Sequence, residues 1–484
     1  MADINITEQQ YSIVKQPYRE LYCKVNLLNY QFQVVDEISG VVVSDSWTIS
    51  ATSDIRRTGT LVITPDNSDA YKIQAGSKIF LDKYIQVYIG IKNRATEEII
   101  YNNMGIYLIN NPTQSFDSTN NQISLQLVDL MAKLTGLRNG YLNGYAYQLK
   151  EGQSVRDIII AILAQGGFYN YNIEINPEDY QTIQFDMSVE GTATLYDILK
   201  TINENQYINY QMYFDVNGVF HFNRIPMDEQ DTVMVDDDIW KHSYISHEVT
   251  TDYESLKNDI VILGKMHTAT KYTSTFAISG NSITITATSI RREYNHIKMA
   301  FTTPSNMSAT NPNTQYYLNL NGYGAYPLKT ALNSINFSLQ PNTYYVIKLQ
   351  KDGVNPAYWQ FMGELQPRAQ IQETNPQSPF YVNGTVGDIR IVLSGGDYDN
   401  ISTSELAYQR AQYELYTRCR LNDSLTITCL PIYWLDVNWL VGITLPTEDR
   451  IKYFITKEIT ISNGVTATQT VQMASFYNYY PNNT

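Results

Sequence analysis

Residues 78–92, KIFLDKYIQVYIGIK, alternate apolar and polar side chains, placing Ile85, Val87, Ile89 and Ile91 on one face. A period of two is the mark of a strand with one buried side. Upstream, LYCKVNLLNY (21–30), QFQVV (31–35) and WTISATSDIRRTGTLVIT (47–64) continue the pattern, with turn signals at Ser39-Gly40 and Pro65-Asp66-Asn67. Downstream, GIYLINNPTQSFDSTNNQISLQLVDLMAKL (105–134) predicts two more strands and a short helix. Six or more strands at this spacing predict a closed or nearly closed β-barrel.

The end of the chain repeats the arrangement. GTLVIT, a Pro loop, KYIQVYIGI, GIYLIN, a turn and NQISLQLVDL near the start are echoed by SLTITCL (424–430), a Pro loop, NWLVGITL (438–445), YFITKEITIS (453–462), Asn463-Gly464 and ATQTVQM (467–473). The shared feature is an order of elements rather than identity, and it predicts two copies of one barrel in one chain.

Between the ends the period changes. Ser154 with Asp157, and Thr194 with Asp197, start helices over VRDIIIAILAQ and LYDILKTINENQ, and Gly166 stops the first. YQMYFDV and VFHFNRI flank Asn217-Gly218, a strong hairpin signal, so this region reads as a small α/β module. Residues 268–390 are rich in Thr, Ser, Asn and Tyr, with short strands SITITAT, TYYVIKLQ and YWQFMG, and read as an inserted β domain. A helix begins at Ser404, with Ala407, Ala411, Leu415 and Cys419 at four-residue steps.

The whole chain is 484 residues with 48 acidic and 34 basic side chains, a formal charge of −14. Charged residues are only 17% of it, while tyrosines number 40, which excludes a disordered chain and favours β structure. The acidic balance and the lack of a basic tract argue against a nucleic-acid binder. The N-terminus MADINITEQQYSIVKQPY has no signal-peptide pattern, and no run approaches the apolar length of a membrane span.

A search for chemistry finds none. Cys23, Cys419 and Cys429 show neither a disulfide framework, zinc spacing nor a peptidase context, and read as buried, unreactive thiols. The histidines are His221, His242, His247, His267 and His296. His247-Glu248 begins like a zincin motif, but Thr251 stands where the second histidine belongs. Gly264-Lys265 lacks the remainder of a P-loop. Asp215, Asn217 and Gly218 echo a calcium loop but fit a plain turn better. Asp236-Asp237-Asp238, after Asp231, could hold a cation and reads more plainly as a solvated linker. No catalytic residue, cofactor site or metal site is therefore expected.

The ordered pieces resemble the bacteriophage tail (baseplate) hub family. The stretches carrying the resemblance are IRRTGTLVIT through LVDLMAKLTG, EGQSVRDIIIAILAQGG through FHFNRI, DDDIWKHSYISHEVTTDYESLKNDIVILGK, and SGGDYDNISTSELAYQRAQYELYTRCRLNDSLTITCLPIYWLDVNWLVGI. Together they cover about three quarters of the chain. The resemblance implies a mainly β chain with α/β parts (α+β), built from two tail-tube-like β-barrel domains, a small α/β module and an inserted β domain. The expected division is an N-terminal arm (1–20), first barrel (21–137), α/β module (138–235), second barrel (236–267 with 391–476), insertion (268–390) and C-terminal tail (477–484).

Hubs of this family form homotrimers whose paired barrels make a pseudo-six-fold ring between a six-fold tail tube and a three-fold tip, through which DNA and the tape-measure protein pass. The implied partners are a tail-tube or distal-tail ring, tip spike or fibre proteins and the tape measure. DNA would pass without binding, and the location would be the virion tail tip, assembled in the host cytoplasm. Three chains would carry three times −14, or −42, which repels phosphate wherever it lines a channel. Some hubs continue into a peptidoglycan-cleaving domain, whereas this chain stops at PNNT soon after its last expected strand. Two other readings use the 268–390 insertion: a tail-associated cell-wall hydrolase, and a glycan- or receptor-binding tip with Trp359 as a sugar contact.

Overall fold

The computed structural model describes residues 7–477 except 39, 66–70, 117–120, 185, 208, 229–236, 267–269, 272–273, 331–332, 421, 447 and 464–466. It divides into two compact units, one within Met1–Tyr253 and Asn422–Tyr480, the other within Glu254–Leu421.

The first unit opens with α1 (Glu8–Val14), capped by Thr7 and Gln10. Strands β1 (Leu21–Leu28), β2 (Val34–Glu37), β3 (Gly40–Ser50), β4 (Arg57–Pro65), β5 (Tyr84–Lys92), β6 (Ile99–Phe116) and β7 (Asn121–Asp129) follow. Ile85, Val87, Ile89 and Ile91 are all buried, as the alternation predicts. Next come β8 (Tyr147–Leu149), α2 (Val155–Gln165), β9 (Tyr171–Ile173), β10 (Met187–Val189), α3 (Leu195–Gln206), β11 (Tyr210–Phe214) and β12 (Phe220–Arg224). Ser154 and Thr194 cap α2 and α3 where expected, and both helices share one core with β9, β11 and β12. The unit continues with α4 (Asp237–Ser243) and β13 (Tyr244–Asp252).

The second unit begins with β14 (Asp259–Leu263). Strands β15 (Thr270–Lys271), β16 (Ser274–Ser279), β17 (Ser282–Ala287), β18 (Lys298–Thr302), β19 (Tyr316–Leu320), β20 (Ala325–Lys329), β21 (Tyr344–Gln350) and β22 (Tyr358–Glu364) form one eight-stranded sheet. Strands β23 (Arg368–Gln372) and β24 (Arg390–Leu393) flank β14, and α5 (Ser404–Arg418) lies against β14 and β23. Leu406, Ala407, Ala411 and Leu415 form the buried side of α5.

The chain then returns to the first unit as β25 (Asn422–Cys429), β26 (Leu440–Ile443), β27 (Lys452–Asn463) and β28 (Thr468–Ser475). Here the repeat becomes concrete. In the first half the strands pair in the order β3-β4-β7-β6-β5; in the second the order is β13-β25-β28-β27-β26. All eight pairings are antiparallel. The register also shifts at matching places, between Ile109 and Pro112 in β6 and between Thr456 and Glu458 in β27. Both are mid-strand irregularities that bend a long strand.

Expected as closed or nearly closed barrels, the two halves instead run on as one sheet, joined where Glu458–Asn463 of β27 pair with Ser50–Asp45 of β3. Among the described residues the strand path does not close on itself; it ends at β13 on one side and β2 on the other. One core cluster lies beneath strands of both halves, with Trp47, Leu61, Ile85 and Leu125 from the first and Leu425, Ile427, Ile459 and Val471 from the second.

Candidate functional site: the junction between the two halves

Side chains reinforce the β3–β27 seam. Asn463 Nδ2 donates to Asp45 Oδ1 at 2.6 Å, Trp47 Nε1 donates to the same oxygen at 2.5 Å, and Tyr433 Oη donates to Asn463 Oδ1 at 2.7 Å. Asp45 is 7% exposed and has no cation among these partners, so desolvation pushes its carboxyl up to about 6 despite two donated hydrogen bonds. Trp47 packs over Gly59, its direct neighbour on β4; a Cβ there would stand 2.4 Å from the indole. Glycine is what leaves room for the ring.

A second knot lies at the entry to β4. Arg56 and Arg57 are buried, at 5% and 3% exposure, and both meet the buried Asp436 of the Pro loop in the second half. Arg56 also donates to Gln211 Oε1 at 2.9 Å and to the Val437 carbonyl at 2.7 Å, and its guanidinium lies 3.8 Å from the Tyr213 ring centre. Arg57 donates to the Phe214 carbonyl at 2.6 Å, while its backbone N–H donates to Asp129 Oδ2 at 2.8 Å. The first half, the β11–β12 hairpin and the second half thus meet at two guanidinium groups. Burial works to raise Asp436, but the adjacent guanidinium charges hold its carboxyl below the ordinary carboxylate range. Asp129, satisfied mainly by backbone N–H groups, is pushed up to about 6 by burial. Sequence reading missed both arginines; the available signal was two adjacent cations entering a strand in a charge-poor chain.

The other candidate residues are structural in their contacts. Asp215 accepts the N–H groups of Asn217 and Val219 at 2.9 and 2.8 Å and lies 3.3 Å from His221 Nε2, so the calcium-loop echo is a hairpin turn. Asp237 and Asp238, expected in a linker, instead open α4: Asp237 pairs with Lys241 at 2.7 Å and accepts the Thr444 N–H at 3.1 Å, and Asp238 pairs with Lys15 at 2.5 Å. Asp231, Asp236 and His267 lie outside the described residues. His247 Nδ1 is 2.7 Å from Tyr244 Oη, and His242 Nδ1 is 2.7 Å from the Asp238 carbonyl. Burial pushes Cys23, Cys419 and Cys429 each up to about 12, away from thiolate chemistry. Among the described residues, no three metal-ligating side chains cluster, and no helix is long and apolar enough to cross a membrane.

Trp359, offered above as a sugar contact, is completely buried among Leu318, Leu328 and Leu349 in the core of the eight-stranded sheet. Its ring has no face open to a ligand. The same strand, β22, runs on into an open cleft of about 600 Å³ within the second unit. The cleft is lined by Phe337 and Phe361, stacked 4.3 Å apart, and by Ser334, Asn336, Gln409 and Gln412. Among the described residues Glu405 is its one carboxylate, accepting from Thr330 Oγ1 at 3.0 Å.

Comparison with known proteins places this architecture. A family described only as a domain of unknown function (DUF5048) matches residues 377–480. No curated protein matches the chain by sequence. Among solved structures, the 43 kDa tail protein of prophage MuSo2 from Shewanella oneidensis is similar at a TM-score of 0.50 and 10% identity, covering 94% of this chain and 98% of that one. A tail protein from Neisseria meningitidis MC58 aligns at 0.48 and 8% identity, covering 95% and 98%, and prophage tail protein gp18 from Listeria monocytogenes EGD-e at 0.44 and 8%, covering 93% and 94%. In fold, over nearly its whole length, this chain is similar to a prophage tail protein.

Proposed function

We propose that the chain is a structural component of a phage tail, a baseplate hub that assembles as a homotrimer. The observation supporting this is the doubled strand order, β3-β4-β7-β6-β5 and β13-β25-β28-β27-β26, fused into one sheet at β3–β27. A chain carrying one unit twice lets three copies offer six similar units, which suits a joint between a six-fold tube and a three-fold tip. Its neighbours would be a tail-tube or distal-tail ring above and tip proteins below, with the tape measure and DNA passing through. The acidic balance keeps DNA from adhering. Immunogold labelling of phage particles with antibody to this chain tests the placement: label at the tail tip is expected, and label along the tube or none on tails would overturn it.

One observation favours a second activity, glycan recognition by the second unit. The cleft beside Phe337 and Phe361 presents amides and hydroxyls, with the Arg368 guanidinium and the Glu405 carboxylate, around aromatic rings, a set that suits a polyol. Its single carboxylate does not supply the pair used in most glycoside hydrolysis. Binding on a glycan array, lost in Asn336→Ala and Gln409→Ala, would support it; an array with no signal would remove it.

A further inference from the structure

The seam inside the chain is a template for a seam between chains. One edge of β27 is occupied by β28 along Phe454–Ser462. Its other edge is shared in succession: β26 pairs with Lys452–Ile455, and beyond the bulge β3 pairs with Glu458–Asn463. The equivalent strand in the first half is β6. There β7 takes one edge and β5 covers Ile99–Leu108 of the other. Beyond the matching bulge, Pro112–Phe116 pair with β7 alone among the described residues. The position filled in β27 by β3 is open in β6.

The strand order also names the missing partner. The counterpart of β3 in the second half is β13, whose only partner among the described residues is β25. The chain's own β13 lies seven strand steps from β6 in the sheet. Measured along the sheet, that path is roughly 34 Å at the ordinary strand spacing. We propose that β6 residues Pro112–Phe116 of one copy pair antiparallel with β13 of a second copy, repeating between subunits the β27–β3 joint found within each. This rests on the ring reading above and specifies its interface.

The side chains agree. Across the filled joint the inward residues Trp47, Ile49, Ile459 and Ile461 are buried. On the open edges, Phe116 is 80% exposed and Val249 47% exposed. Pro112, Gln114 and Phe116 stand opposite Leu125, Ile123 and Asn121, while Val249 and His247 stand opposite the buried Leu425 and Ile427. An open edge with exposed apolar side chains is a template for another strand. The free edge at the other end of the strand path, β2, is built differently: it is four residues long, with Asp36 and Glu37 paired to Lys78 at 2.8 Å and Lys24 at 3.2 Å. Short, charged edges resist pairing.

The test mixes two differently tagged full-length proteins, one with cysteine replacing Gln114 or Phe116, the other with cysteine replacing His247 or Val249. Mild oxidation should give a disulfide-linked species containing both tags, whereas Val35→Cys mixed with Val249→Cys should not. Phe116→Lys with Val249→Lys should leave the circular dichroism and melting temperature unchanged while weakening self-association by roughly ten-fold or more. A stable trimer in which no 114/116–247/249 combination cross-links overturns this joint and leaves the ring reading standing. A chain that remains monomeric at every concentration, without cross-links, overturns both.

Discussion

The Asp45 carboxylate of β3 accepts a 2.6 Å hydrogen bond from the Asn463 amide of β27, tying together residues 418 positions apart across the line where two similar half-sheets meet. A buried acid at this place makes the seam sensitive to pH. The Asp45 carboxyl titrates near 6 when folded, against about 3.9 in an unfolded chain. The folded state therefore holds the proton more tightly, and this group's contribution to stability is present at low pH and lost as pH rises from about 4 to 6. Asp45→Asn keeps an acceptor for Asn463 and Trp47 without a charge to desolvate. The difference in unfolding free energy between Asp45→Asn and wild type should grow in the variant's favour across that range, to on the order of 3 kcal/mol at pH 7.5. Urea unfolding at a series of pH values reads it; a pH-independent difference would show that the carboxylate is better solvated than its burial indicates.

Asp436 has the opposite sign. Its folded carboxyl sits below the ordinary range because Arg56 and Arg57 flank it, so its stabilisation is present above pH 4 and fades as pH falls below that. Replacing it with alanine leaves two buried guanidinium groups without their counter-ion. A loss of roughly 3–5 kcal/mol in chemical denaturation is expected for Asp436→Ala. A loss below about 1 kcal/mol, the scale of an exposed pair, would mean that water reaches the cluster.

Gly59 is a steric requirement. Even one methyl there meets the Trp47 ring at 2.4 Å, and that ring is fixed on its far side by the Asp45 hydrogen bond. Gly59→Ala should cost about 1–3 kcal/mol, and Trp47 fluorescence should shift with it. Gly59→Ala combined with Trp47→Leu should recover part of the loss, because the smaller side chain opens the space. An additive double variant would locate the strain elsewhere.

The thiols give a simple check on burial. With all three pushed up to about 12, Cys23, Cys419 and Cys429 should react slowly with a disulfide reagent at pH 8 in the native protein, and fully once unfolded. Rapid native reaction of one equivalent would mark a local opening.

The strands and helices were legible because each carries its own period or cap: Ile85 to Ile91 declared a half-buried strand, and Thr194 with Asp197 a helix start. The doubling was legible as an order of elements. The joining of the halves was not, because the pairing of Asp45 with Asn463 is fixed by packing across most of the chain and leaves no local pattern. Trp359 was misread for a related reason: a short aromatic-rich strand does not announce that both its faces are covered, and β22 is buried from Trp359 to Gly363. Asp237 and Asp238 resembled a linker until Lys15 and Lys241 came to meet them. Arg56, Arg57 and Asp436 were not singled out because the partners that justify burying them are some 380 positions away.

In the proposed assembly three copies of the doubled chain make a ring of six similar units. Native mass spectrometry with electron-microscope class averages of the purified protein tests it most directly. The expected result is a particle of three 55.4 kDa chains with six lobes around an open centre. A monomer or a closed dimer, or a trimer showing three lobes and no channel, would contradict it.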